Sequence, residues 1–388
     1  ATTIEAVYEV PYLAHACMEP MNCTAHTDGL GGEVWCGTQA PQAAQAAAAA
    51  VLGISPSRVR VHTTYLGGGF GRRGEADFVA QAMTAARAVG RPVKLVWSRE
   101  QDIRHDFYRP AVAMRGRAGL DRRGRLVALD CHVVTASSGP AFGRKVSFTV
   151  GLDDMSYDIP SFRVTGVDKK VGVPFGYWRS VYRSHNPLML EGFIDEIAHR
   201  VGRDPYEFRR SMLQRAPRQA GVLDLLAQKA GWSHPRPGRH LGIAALPGLG
   251  GFVGTCVELS VKNRIIMLHR VMTAIDCGVA VDPVNIRAQL DSGMVFGLTA
   301  ALRGEITLAK GAVQQGNFDD YPVLRLAEMP PSECYIVPST AAPGGAGEAG
   351  TTSVAPALVN ALYAATGMRV RSLPLTRAGF SLAASRRG

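Results

Sequence analysis

The spacing of apolar residues changes period along the chain, and each period predicts an element. Alternation over 5–12, 33–36, 58–65 and 92–97 predicts strands. Paired runs at 112–118 and 126–135, on either side of Asp121-Arg122-Arg123-Gly124, predict a hairpin, and 306–313 predicts a shorter one. Two long alternating runs, 253–261 and 265–275, predict a further strand pair. Helical spacing replaces alternation elsewhere. The alanine-rich stretch 42–52 has high helix propensity and stops at Gly53. Leu190, Phe193, Ile194, Ile197 and Val201 fall on one face, so 187–201 is an amphipathic helix, and Asp204-Pro205 starts the next, to Leu213. The segments 76–89, 223–230 and 287–302 are also helical.

Between these elements, 137–161 reads as loop. Pro235, Pro237 and Pro247, with five glycines, make 233–251 a candidate linker. The expected organisation is a first domain at 1–232, the linker at 233–251 and a second domain at 252–388. The mixture of strands and helices gives an α+β (mixed α/β) class, and 388 residues at 46% hydrophobic content suffice for a large core.

The chain carries 43 Lys+Arg against 32 Asp+Glu, a net charge of +11. The basic residues are scattered, which argues against a nucleic-acid partner. The tightest runs are Arg72-Arg73, Arg122-Arg123-Gly124-Arg125, Arg209-Arg210 and Arg386-Arg387. They read as solvated faces, subunit contacts or contacts to a phosphorylated cofactor. Seven cysteines lie far apart with no C-x-x-C pair, so neither a zinc ribbon nor an iron–sulfur loop is present. No apolar run approaches the ~20 residues of a membrane-spanning helix. With no signal peptide visible, the compartment stays open between cytoplasm and periplasm. The chain starts at Ala1 within a predicted strand, as a processed, split or trimmed polypeptide would.

Two glycine-rich loops carry the candidate chemistry. In Pro343-Gly-Gly-Ala-Gly-Glu348-Ala-Gly350 one acid sits among four glycines, ahead of Thr351-Thr352-Ser353 and an apolar helical run. Glu348 thus falls on a tight loop before a capped helix. It is a candidate general base, or else an exposed acid on a glycine turn. In Leu66-Gly67-Gly68-Gly69-Phe70-Gly71-Arg72-Arg73 no G-K-[ST] follows, so this is not a phosphate-binding Walker loop. It offers backbone N–H groups to an oxyanion or metal-oxo group, or is a structural turn. No H-E-x-x-H and no G-x-S-x-G occurs among the ten histidines and the serines; His15 and His185 read as structural. Arg179, among aromatics in Gly176-Tyr-Trp-Arg-Ser180, is a substrate-orienting guanidinium or a cation–π packing contact.

Taken in order, several segments resemble the molybdenum hydroxylases, the xanthine dehydrogenase and aldehyde oxidase family. Gly67–Gly71 is similar to that family's G-G-F-G loop, and Arg91–Lys94, Ser98–Asp102 and His105–Pro110 to the stretch that follows it. Gly176–Ser180 is similar to its A-F-R-G segment. Asp276-Cys-Gly278, Asp282-Pro283 and 289–298 are similar to its D-x-G…P…Q-x-x-G…G-L segment, and Gly347-Glu348 to its G-E. Pro11–His15, Met18–Asn22 and Val181–Pro187 resemble the isoquinoline-oxidising branch.

The resemblance implies a molybdopterin cofactor, in the cytosine dinucleotide form, whose dithiolene holds molybdenum, so no protein metal ligands are expected. It implies Glu348 as catalytic base and Arg179 as a stabiliser of developing charge. Gln39, Gly68, Gly69, Phe70, Gly71, Arg72, Gln289, Gly345, Ala346 and Gly347 would surround the cofactor, and Gly74, Val181 and His185 would belong to the substrate pocket. Gly74 stands where purine-oxidising members carry a substrate-reading Glu, and Val181 where they carry a stacking aromatic. Ser184 and His185 occupy the region of the carbon monoxide dehydrogenase Cys. These departures point away from xanthine and carbon monoxide. The implied reaction is hydroxylation of an electron-poor carbon with water-derived oxygen, on an isoquinoline-like N-heteroaromatic. The alternatives are aldehyde oxidation and a non-catalytic cofactor-binding or assembly module. The family's M-G-Q-G segment is absent, so the chain resembles the second part of a large subunit. Its expected partners are a chain carrying the N-terminal half, a small subunit with 2Fe–2S clusters, and a cytochrome or flavin electron acceptor.

Overall fold

The computed structural model describes residues 2–137 and 146–383. Part of the predicted loop at 137–161, and the Arg386-Arg387 pair, lie outside the described residues.

Three sheets organise the fold. The first runs Thr2–Val10, Val112–Leu120, Leu126–Thr135, Ser161–Asp168, with the first two contacts antiparallel and the last parallel. Its middle strands bury alternate residues against the helix Asn186–Arg200, as the sequence pattern demands. At Gly116 the helix comes so close that a Cβ would lie 2.7 Å from the Phe193 ring. The second sheet, ordered Val59–Thr63, Gly32–Cys36, Asn22–Thr27, Val93–Val96, packs under the helices Pro41–Leu52 and Asp77–Val89. Proline in its first turn and Gly53 in a left-handed C-cap bound the former helix. The third sheet runs Ser332–Ile336, Ile265–Asp276, Phe252–Lys262, His240–Pro247, with Ser381–Leu382 beside one end of Ile265–Asp276. Pro217–Ala230 and Val354–Thr366 pack on it, and Pro283–Leu302 lies against the short helix Ala349–Thr352.

Several expectations change. The segment 233–251 is not a linker: it contains His240–Pro247, a strand paired along Phe252–Leu259 and buried on both faces. The main hydrophobic core joins the first sheet to the third, from Tyr8 and Val133 to Val257 and Leu362. The helix expected at 223–230 begins at Pro217, and Asn22–Thr27, Ser161–Asp168 and Ser332–Ile336 are strands that periodicity did not reveal. The Arg72-Arg73 run and Arg209 of the Arg209-Arg210 run are not solvated. Arg72, Arg73 and Arg209 are among the most deeply buried large side chains. Arg209 pairs with the equally buried Glu191 at 2.8 Å, and Tyr157 donates to the same carboxylate at 2.6 Å.

Candidate active site

Three segments distant in sequence meet at one cavity of about 700 Å³. The first is the glycine loop. Gly71 takes φ 111°, and a Cβ there would lie 1.4 Å from the Tyr177 carbonyl oxygen, so only glycine fits. A Cβ on Gly69 would meet Gln39 Oε1 at 2.6 Å, and that oxygen accepts the Gly71 N–H at 3.0 Å. Phe70 adopts φ 53° and stacks on Phe296, which stacks on Trp178. Beneath the loop, Arg73 donates to the carbonyls of Gly68 (2.9 Å) and Gly37 (3.0 Å) and pairs with Glu19, which accepts the Gly67 N–H. The loop is therefore braced from below by a buried cation.

The second segment is Gly176–Ser184, and the third is the Glu348 loop with the facing helix Pro283–Leu302. Arg179 joins them. Its Nε donates to Gly347 O (3.0 Å), Nη1 to Ser292 Oγ (2.9 Å) and Nη2 to Gln289 Oε1 (2.9 Å) and O (3.2 Å); Nη2 also contacts Gly347 O. Burial pulls the Arg179 guanidinium below its ordinary range, with Glu348 acting in the opposite direction. Glu348 precedes the helix Ala349–Thr352 and lines the cavity. Its Oε1 accepts the Ser180 N–H at 3.0 Å and its carbonyl accepts the Ser180 hydroxyl at 2.8 Å. Oε2 has no hydrogen bond among the described residues. The expected side-chain cap of the following helix is absent: neither Glu348 nor Ser353 caps through its side chain. Close backbone approach takes its place. A Cβ on Gly350 would lie 2.4 Å from Leu290 O, and one on Gly344 2.6 Å from Gly250 O.

The structure thus brings together Gln39, Gly69, Phe70, Gly71, Arg179, Val181, Gln289, Gly347 and Glu348. Six expected residues are not on the cavity wall. Arg72 is turned inward, pairing with Asp77 (2.8 Å) and Asp106 (3.2 Å) between the rings of Trp97 and Phe107. Gly74 is buried in the turn that follows the loop. Gly68 abuts the Phe70 ring. Gly345 and Ala346 lie on the Glu348 loop but away from the wall. His185 is buried with Nδ1 against Ser184 Oγ; burial, then Arg109, pushes it well below the ordinary histidine range. His15 is held by Asp106 at 2.9 Å. Sequence reasoning missed Leu66, Val146, Tyr177, Leu249 and Ser292 in the wall, and Ser180 behind Glu348. Only Ser180 left a signal, since it stands where the A-F-R-G pattern has glycine. Among the described residues no three His, Cys, Asp or Glu side chains cluster as metal-ion ligands, and no helix is long and apolar enough to cross a membrane.

Residues 1–213 match the family described as molybdopterin cofactor-binding domain, and residues 246–330 match a second family of the same description. The chain belongs to the molybdopterin cofactor-binding family. An isoquinoline 1-oxidoreductase subunit beta from Brevundimonas diminuta is 33% identical over 389 residues, covering 96% of this molybdopterin-binding chain and 49% of that protein. A membrane-bound aldehyde dehydrogenase from Gluconacetobacter polyoxogenes, whose name includes pyrroloquinoline quinone, is 30% identical, with coverage of 96% and 53%. The chain spans about half the length of both relatives. The aldehyde oxidoreductase of Desulfovibrio gigas superposes with a TM-score of 0.83 at 15% identity, over 96% of this chain and 60% of that one. Quinoline 2-oxidoreductase of Pseudomonas putida 86 gives 0.83 at 13%, over 97% and 75%. At these identities the likeness concerns the fold, and it agrees with the mixed α/β class.

Proposed function

We propose that this molybdopterin-binding chain is the catalytic part of a molybdenum hydroxylase large subunit. It would hydroxylate an electron-poor carbon of an N-heteroaromatic, isoquinoline-like substrate. The observation that carries this reading is the Glu348 carboxylate, held by Ser180 N–H on the wall of a cavity that Phe70 and Gly71 also line. The cavity fits a molybdopterin. Gln39 and Gln289 have their amide oxygens occupied by Gly71 N–H and Arg179, which leaves both NH₂ groups as donors toward a ligand. Gly69 and Gly71, where a Cβ would strike Gln39 and the Tyr177 carbonyl, place main chain in the cavity wall. When bound, the cofactor supplies the two-electron redox centre.

The chain's own residues supply position and proton transfer. Glu348 Oε2, free of hydrogen bonds among the described residues, is the atom that takes the proton as a water-derived oxygen attacks carbon. Arg179 acts through Gly347, Ser292 and Gln289, to which its donors are committed. Leu66, Phe70, Val146, Val181 and Leu249 line the cavity with apolar surface that suits a flat heteroaromatic. The likeness to isoquinoline 1-oxidoreductase subunit beta supports that substrate class. The same reading calls for the cytosine dinucleotide form of the cofactor, a chain supplying the N-terminal half, a small subunit with 2Fe–2S clusters and a cytochrome or flavin acceptor.

The test is Glu348→Gln in the assembled enzyme, assayed by dye reduction on quinoline-type heterocycles, aldehydes and xanthine. Turnover of the best heterocycle should fall by at least about two orders of magnitude with molybdenum content unchanged. Near-normal turnover by the variant overturns the assignment of the base. Aldehydes turned over in place of heterocycles, or xanthine turned over as fast, overturns the substrate class.

A further inference from the structure

Glu348 is held by Ser180, a residue on a different segment. Ser180 touches it twice, through its N–H to Oε1 at 3.0 Å and through its hydroxyl to the main-chain carbonyl at 2.8 Å. Ser180 is buried and takes φ 75°, and Val181 follows at φ 52°. Two consecutive left-handed residues, the second β-branched, are disfavoured for any side chain but glycine. Serine therefore bears a conformational cost here that glycine would not, and what it adds is the hydroxyl. That hydroxyl donates to Glu348 O and to nothing else among the described residues. Neighbouring residues hold neighbouring carbonyls: Arg179 grips Gly347 O, and Ser180 grips Glu348 O.

We infer that Ser180 is a positioning residue for Glu348, its hydroxyl anchoring the main chain from which the carboxylate projects. With that anchor in place, Oε1 stays on the Ser180 N–H and Oε2 remains the free atom. The inference rests on Glu348 being the base. The Arg179 bonds fix the loop as a whole; the Ser180 bonds fix the one residue whose placement sets the distance of proton transfer. A base displaced by about an ångström loses on the order of 10- to 100-fold in rate while substrate binding is unaffected.

Two variants of the assembled, molybdenum-loaded enzyme test this. Ser180→Gly suits φ 75° and relieves the backbone, so it folds at least as well as the parent. Its kcat should fall about 10-fold or more, with KM, molybdenum content and thermal midpoint unchanged. Ser180→Ala, which keeps a Cβ in the left-handed region as the parent does and lacks only the hydroxyl, should behave alike. Parental kcat in Ser180→Gly overturns the inference. So does a Ser180→Gly variant that loses molybdenum or changes only KM, because the residue then serves the cavity's architecture. Glu348→Gln run in parallel separates the two readings. If it is slow and Ser180→Gly is not, only the positioning role fails; if Glu348→Gln is itself unimpaired, the proposed base fails.

Discussion

Replacing Arg179 by lysine should open the Glu348 loop while leaving the fold intact. Arg179 reaches Gly347 O, Ser292 Oγ, Gln289 Oε1 and Gln289 O at 2.9–3.2 Å, from three nitrogens of one rigid plane. A lysine ammonium offers its three donors from a single point and cannot span acceptors on two segments. At least two charge-assisted bonds are lost, each with a net value of about 1.5–3 kcal/mol. Because the acceptors are partly wetted, the lower end applies, giving about 3 kcal/mol of local stability. Burial already works against the charge at this position, and no carboxylate lies within ion-pair distance among the described residues to retain a lysine proton. Amide hydrogen exchange reads the opening directly. The Thr351 N–H, bonded to Glu348 O at 3.1 Å, should exchange about 10²-fold faster. The amides of Phe252–Lys262, in the centre of the third sheet, should not change. Unchanged protection over 346–352 would mean that the loop stands without Arg179 and that the clamp described above is not one.

Two further outcomes concern stability. Arg209→Met strands the Glu191 carboxylate in a site with no solvent exposure, where removing one partner typically costs about 3–5 kcal/mol. With unfolding entropy of about 2.1 cal/mol/K per residue, that is a fall of about 5 °C in Tm by calorimetry; no measurable fall would show the pair to be dispensable. Asp102 is pushed up to about 6, first by burial and then by Asp106, against Arg99 and Arg72. Its folded value lies above the unfolded one, so the folded state holds the extra proton between about pH 4 and pH 6. This group's contribution therefore declines by about 3 kcal/mol as pH rises through that window. Asp102→Asn should remove that decline. Denaturant midpoints at pH 4 and pH 6.5 should fall further in the parent than in the variant, and equal changes would refute the linkage.

What the sequence disclosed follows from where each element's side chains lie. The helix Pro41–Leu52 and the hairpin around Asp121–Gly124 were legible because local propensity and turn chemistry agree with the fold there. Asn22–Thr27 was not, because the residues it buries, Cys23 and Ala25, are small and give weak alternation. His240–Pro247 is buried on both faces, so its apolar residues run on without a polar phase, and the flanking prolines and glycines look like a linker. At the site, Glu348, Phe70 and Gly71 could be named from ordered motifs. Leu66, Val146 and Leu249 could not, since each is a lone apolar residue from a different segment. Arg72 misled because a charge beside a glycine loop suggests a ligand contact, whereas Asp77, five residues on, and Asp106, which folding brings near, take the charge.

The contact between Gly71 and the Tyr177 carbonyl divides the cavity into a part that mutation can reshape and a part that it cannot. Where two main chains touch, no side chain intervenes, and any substitution at residue 71 must move a whole segment. Along that seam the shape of the cavity is set by the fold and has no sequence freedom. Leu66, Val146, Val181 and Leu249 are the aliphatic members of the remaining wall, and each presents a side chain that can be exchanged for a larger or smaller one. Drift in substrate range among descendants of this protein, or selection for a new substrate in the laboratory, is therefore channelled to those four positions.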